Sequence, residues 1–175
     1  MMKHLPRRVS RRVVYRGRVF RVEQDRIALP DGRTVVQDIV RHARSVVLLP
    51  QPSRFEIILI RQYRHAIGRW IWELPAGSLD AGERPRSAAR RECEEEVGLT
   101  PRRIERLVTA YPTPGFCDEE MIFYRCTDLV RPRRPRARDP DELLEARVFT
   151  MAQARRLVDA RRVRDMKTAM GLSLV

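Results

Sequence analysis

Residues 77–99 read GSLDAGERPRSAARRECEEEVGL, and within them RRECEEEVG, from Arg90 to Gly98, sets four glutamates into five consecutive positions. Pro85 suits the first turn of a helix and Gly98 its C-terminal cap, so a helix is expected from Pro85 to Val97. The acids then sit at the wrong end. A helix C-terminus carries partial negative charge, and each misplaced or stacked acid there costs a few tenths of a kcal/mol to about 1. With successive residues 100° apart, Ala89, Cys93 and Val97 form the apolar stripe facing a core. Glu92 and Glu96 lie together along one edge of that stripe, Glu95 stands one step further round, and Glu94 points into solvent. Two readings stay open. A divalent cation takes hard oxygen ligands such as these, and a solvated acidic face with arginine partners, Arg91 to Glu95 for one, also accounts for them.

Around this stretch the chain reads as alternating strands and helices. Arg12–Val22 is rich in β-formers, and Pro30-Asp-Gly-Arg33 is a turn between two strands. Ser45–Leu49 and Phe55–Ile60 look like buried strands separated by Pro50-Gln-Pro-Ser53. Strands are expected near Ile104–Ala110, Met121–Cys126 and Glu145–Phe149, with a proline-broken loop from Arg131 to Glu142. Thr150-Met-Ala-Gln153 has the form of a capping box opening a C-terminal helix. Trp70 and Trp72, two apart on a strand-like segment, are read as core residues. The expected class is a single α/β domain with a mixed sheet.

With 36 Lys+Arg against 23 Asp+Glu, the formal net charge is +13. The excess is clustered: Lys3–Arg21 holds no acid, and Arg131–Arg138 is a second basic run. Such runs attract nucleic acid, an acidic membrane surface or an anionic small molecule, or simply solvate a face. Neither run is interleaved with the aromatics that stack on single-stranded bases, which argues against nucleic acid. Cys93, Cys117 and Cys126 have no disulfide or zinc spacing, which suggests buried thiols in a reducing compartment. No apolar run approaches the roughly 20 residues of a membrane span, and no h-region follows the first arginines. A soluble cytoplasmic protein with no membrane partner is expected.

The spacing now decides between the two readings of the acidic helix. Gly77, five residues, Glu83, seven residues, Arg91-Glu92-Cys93, one residue, Glu95-Glu96, one residue, Gly98-Leu99 resembles the Nudix box at every fixed position, with Cys93 where a bulky aliphatic is usual. The resemblance to Nudix hydrolases implies an α/β/α sandwich, here residues 43–175, preceded by a β-rich extension over residues 1–42. It implies hydrolysis of a nucleoside diphosphate linked to a further group, with Mg²⁺ bound and Mn²⁺ able to substitute. By the family pattern Glu92, Glu95, Glu96 and the Ala76 carbonyl hold metal, Gly77 lets the backbone approach, and Glu83 and Arg91 brace the loop and helix. Clustered carboxylates suit phosphoryl chemistry, which needs charge neutralisation and positioning.

Outside the box, Arg61-Gln-Tyr-Arg64 before Glu73-Leu-Pro-Ala-Gly77, and Pro114 fifteen residues after Leu99, resemble the ADP-ribose pyrophosphatase branch. That resemblance puts Arg64, Glu73 and Pro114 at the substrate, Arg64 gripping the diphosphate with its fork. It also implies a glutamate on a late loop as metal ligand or base, and Glu142 fits, with Glu95 competing. Asp118 and Glu119 are expected near the site. Close alternatives are hydrolysis of GDP-mannose, UDP-glucose or ADP-glucose, and, more distantly, a nucleic-acid-binding Nudix protein. Members of this branch are usually homodimers whose N-terminal strands reach the partner's site.

Overall fold

The computed structural model describes residues 5–137 and 143–175. These fold as two compact units. One contains the chain up to residue 44 together with Tyr111–Glu120, and the other contains Ser45–Ala110 and Met121–Val175.

The first unit is an antiparallel meander of β1 (Arg7–Arg16), β2 (Phe20–Ala28) and β3 (Thr34–His42), in that spatial order. The Pro30-Asp-Gly-Arg33 turn forms as its residues require, with Gly32 at φ 86° and Gly32 N–H donating to Leu29 O at 3.0 Å. Segment 111–120, placed by sequence in the main domain, joins this unit. Val40 N donates to Phe116 O at 2.7 Å and Asp118 N to Val40 O at 3.1 Å, so the segment takes up backbone groups on the β3 edge. Glu23 and Asp25 on β2 are buried beneath arginines. Hydrogen bonds from Arg21 and then Arg41 outweigh desolvation and hold the Glu23 carboxyl down at about 2.

The second unit is a layered α/β structure around β4 (Ser45–Pro50). Val46, Val47, Leu48 and Leu49 are all fully buried, which is why the strand reads as a continuous apolar run. A four-stranded mixed sheet has the order β7 (Ala76–Ser78), β4, β9 (Met121–Val130), β8 (Thr100–Ala110). β4 and β9 are parallel, and the other pairs are antiparallel. A second, antiparallel sheet has the order β10 (Leu144–Thr150), β5 (Glu56–Arg64), β6 (Arg69–Glu73).

Strand alternation divides the core in two. Val46, Leu48, Ile122 and Tyr124 pack with Ala88, Ala89 and Cys93 of the acidic helix. Val47, Leu49 and Phe123 pack with Ile57, Leu59, Phe149, Ala154 and Leu172. Helices therefore cover both sides of the mixed sheet.

Two details depart from the sequence reading. The C-terminal segment forms two helices, α2 (Met151–Asp159) and α3 (Met166–Ser173), after α1 (Pro85–Glu92). Thr150 and Gln153 make the expected capping box, but Arg161 at φ 56° breaks the chain's course and Asp165 caps a fresh start by accepting from Thr168 N. Trp72 is core, edge-on to Phe149 at 4.8 Å. Trp70 is exposed, and its partners are Tyr63 at 5.7 Å and the Arg61 guanidinium at 5.5 Å.

Candidate active site

α1 begins at Pro85, as its residues dictate, and presents Ala88 and Ala89 to the core. Beyond Glu92 the turn widens. Cys93–Val97 is π-helical, closed by Gly98 N–H onto Cys93 O, with Gly98 at φ 76°. Glu96 is 1% exposed, and Val97, on the expected apolar stripe, is half-buried against the core cluster that holds Ala89 and Cys93. Cys93 is fully buried; the neighbouring Cys126 sulfur and desolvation both raise its pKa, so it serves as an uncharged packing group.

The two inward acids meet the β7 backbone. Glu96 Oε2 accepts from Ala76 N at 2.9 Å. The Glu92 carboxylate lies where a Cβ on Gly77 would stand, so a larger residue here would push that carboxylate out of its place. The acids' other neighbour is Arg91. Its Nη1 donates to Glu92 Oε1 at 2.6 Å and Glu95 Oε2 at 3.0 Å. Its Nε and Nη2 grip Glu83 at 3.1 and 2.9 Å, and Nη2 also reaches Ser78 O at 3.0 Å. Hydrogen bonds from Arg91 lower the Glu83 pKa, and those same carboxylates raise that of Arg91. Arg91 thus ties the loop before α1 to the helix and offsets the repulsion among the acids.

Glu94 departs from its reading as a solvated residue. Its Oε1 accepts from Thr100 Oγ1 at 2.9 Å and its Oε2 from Arg136 Nε at 2.8 Å.

Glu73 is buried to 1% exposure at the end of β6. The Arg64 fork binds it through Nε and Nη2, each at 2.7 Å, and Lys167 from α3 donates to the same carboxylate. Arg64, expected at the diphosphate, therefore spends this edge of its guanidinium on Glu73 while its side chain stays 40% exposed. Thr168 Oγ1 accepts from Leu74 N at 2.7 Å, so α3 fixes the backbone leading to Ala76 and Gly77.

Lys167 and Thr168 escaped the sequence reading. No local signal marks Lys167, whose partner Glu73 lies 94 residues away in sequence.

Glu73, Arg64, Ala76, Gly77, Glu83, Arg91, Glu92, Glu95 and Glu96 all belong to the second unit. Pro114, Asp118 and Glu119 belong to the first. There Asp118 accepts from His42 N and Arg41 Nη1, both at 3.0 Å. Glu142 lies outside the described residues. Among the described residues no three carboxylate, thiol or imidazole groups stand together as a ready-made ligand set, and Arg91 stands among the acids. The donors themselves are oxygens, and the Gly77 cradle holds one carboxylate against the backbone, a composition that fits a hard divalent cation.

Residues 40–169 match the family model for the NUDIX domain. The chain belongs to the Nudix family. Its similarity to an ADP-ribose pyrophosphatase of Bacillus subtilis (strain 168) is 33% identity over 164 residues, 94% of this chain and 89% of that protein. An ADP-ribose pyrophosphatase of Mycobacterium tuberculosis (strain ATCC 25618 / H37Rv) is 35% identical over 159 residues, 90% of this chain and 77% of that one. A methanol dehydrogenase activator of Bacillus methanolicus is 33% identical over 159 residues, 91% and 86% of the two chains. Among solved structures, an ADP compounds hydrolase shares the fold, with a TM-score of 0.81 over 98% of this chain and 92% of that one, at 22% identity.

Nudix hydrolases use divalent metal, and the Nudix box here places its acids on a π-widened turn against Ala76–Gly77. Among the described residues no helix is long and apolar enough to cross a membrane.

Proposed function

We propose that this protein is a Mg²⁺-dependent pyrophosphatase that cleaves ADP-ribose with water to AMP and ribose 5-phosphate. The observation that carries the reading is the meeting of Glu92 and Glu96 with the Ala76–Gly77 backbone, in a chain whose relatives over most of its length include ADP-ribose pyrophosphatases. Ala76 O, Glu92, Glu95 and Glu96 would hold the metal, which supplies charge neutralisation at the diphosphate oxygens. Glu96 is oriented by Ala76 N, and Glu92 by Arg91. Glu95 would take the proton of the attacking water, with Glu142 the competing base. Arg64, fixed by Glu73, presents its outer edge to an anionic substrate, and Pro114 shapes the substrate loop. The net charge of +13 favours a diphosphate substrate at long range.

Assembly as a homodimer through the strands of residues 1–42, and a cytoplasmic location, complete the proposal. Product analysis with ADP-ribose, ADP-glucose, GDP-mannose, UDP-glucose and NADH in Mg²⁺ tests it, with ADP-ribose expected to turn over fastest. A preference for any other substrate would replace the assignment. Glu96→Gln is expected to lower kcat by about 10³-fold, the scale of losing one transition-state electrostatic group, with the fold retained. Near-normal activity would remove Glu96 from the metal site.

A further inference from the structure

We propose that Glu94 is a positioning residue: it anchors Arg136 so that a second guanidinium stands beside Glu95 and competes there with the metal. The inference rests on the assignment of Glu95 to the metal site. Glu94 is the one glutamate of the box that stands at a position the family pattern leaves open, yet both of its oxygens are engaged, by Thr100 from the start of β8 and by Arg136 from 42 residues along the chain. Its side chain is 12% exposed. Arg136 lies in the segment after β9, beside Pro132 and Pro135, whose fixed φ angles lower the entropy lost when that segment is ordered.

While Arg136 Nε is held by Glu94 at 2.8 Å, its Nη1 comes to 4.0 Å from Glu95 Oε1. Glu95 Oε2 already accepts from Arg91 Nη1 at 3.0 Å. The two oxygens of Glu95 are therefore addressed by two different arginines. Arg91 is fixed by Glu83 and Glu92 as well, and Arg136 is fixed by Glu94. A cation approaching Glu95 meets the field of Arg136, and Glu94 determines how close that field stands. Arg136 is half exposed, so solvent screening keeps the effect modest.

Mn²⁺ binding, followed by the electron paramagnetic resonance of the free ion, tests this in a double-mutant cycle. In the Glu94 background, Arg136→Ala is expected to tighten Mn²⁺ by about 2- to 5-fold, the range of a screened surface pair. In the Glu94→Gln background the same change is expected to do nothing, because Arg136 is no longer held there. Arg136→Lys, which keeps the charge but cannot reach both acids through one planar fork, is expected to fall between. Equal effects in both backgrounds, or none in the first, would overturn the proposal.

Hydrogen exchange of residues 131–137 in metal-free protein reads the anchor without any activity. Faster exchange is expected in Glu94→Gln and in Arg136→Ala alike, and unchanged exchange would refute the anchor. Glu96→Gln separates the two readings. Mn²⁺ binding that ignores Glu96→Gln removes the metal site itself, whereas binding lost in Glu96→Gln but insensitive to Arg136 removes only the present inference.

Discussion

Replacing Glu73 by Gln probes the junction between α3 and the backbone that carries Ala76 and Gly77. In the folded protein the carboxylate is 1% exposed and is held by the Arg64 fork and by Lys167. Gln keeps the shape and loses the charge, leaving two cations facing a neutral amide. Breaking a buried pair costs roughly 3–5 kcal/mol, and the 40% exposure of Arg64 lowers the expectation to about 2–3. With a urea dependence of roughly 2 kcal/mol per molar, the unfolding midpoint should fall by about 1–1.5 M. Fluorescence of Trp70 and Trp72, both on β6 with Glu73, reports on the affected region.

The pH dependence supplies the sharper check. Burial alone would raise the Glu73 pKa, but Arg64 and Lys167 outweigh it and hold the carboxyl below its ordinary 4.5. A depressed carboxyl contributes stability that is complete above the unfolded value and disappears as pH falls through the folded one. The gap between the wild type and Glu73→Gln should accordingly be constant near neutrality and narrow below about pH 4.5. A gap that stays constant down to about pH 3, or widens in acid, would refute the account of Glu73 as a charged clamp.

Gly77→Ala should abolish most activity, because the new Cβ occupies the place of the Glu92 carboxylate and one of the two must move. Wild-type turnover by this variant would mean that the close approach has no role. Thiol titration with an aromatic disulfide under native conditions should label Cys117 first, since Cys93 and Cys126 are fully buried and the Cys93 pKa is raised by Cys126 and by desolvation. All three thiols should react together in denaturant, and rapid native labelling of Cys93 would contradict its packing role.

The legible parts of the site were those fixed by local spacing. Gly77, Glu83, Arg91, Glu92 and Glu96 are tied to one another within 20 residues, so sequence distance and spatial distance carry the same information. The β4 core was legible for a related reason: a strand buried on both faces leaves an unbroken apolar run. Lys167 and Arg136 were illegible because their partners lie 94 and 42 residues away, and no periodicity links them. The break between α2 and α3 turns on Arg161 at positive φ, where no glycine or asparagine announced it. Trp70 and Trp72 share a strand face by spacing, but only Trp72 meets Phe149.

The acids at the end of α1 illustrate the same boundary between local and tertiary causes. Regular helical geometry places Glu96 at the margin of the core and Val97 within it. In the π turn Val97 still packs against the core cluster, and Glu96 is buried as well because Ala76 N donates to its carboxylate. Repulsion within the cluster is met by Arg91, whose three nitrogens reach Glu83, Glu92 and Glu95, and by Arg136 at Glu94. A helix terminus that opposes its own dipole therefore persists through contacts made by β7, by the loop before α1 and by the segment after β9. Removing any of these supports should loosen the turn before it loosens the sheet beneath it, because Cys93 and Ala89 remain packed on β4 and β9 when the acids lose their partners.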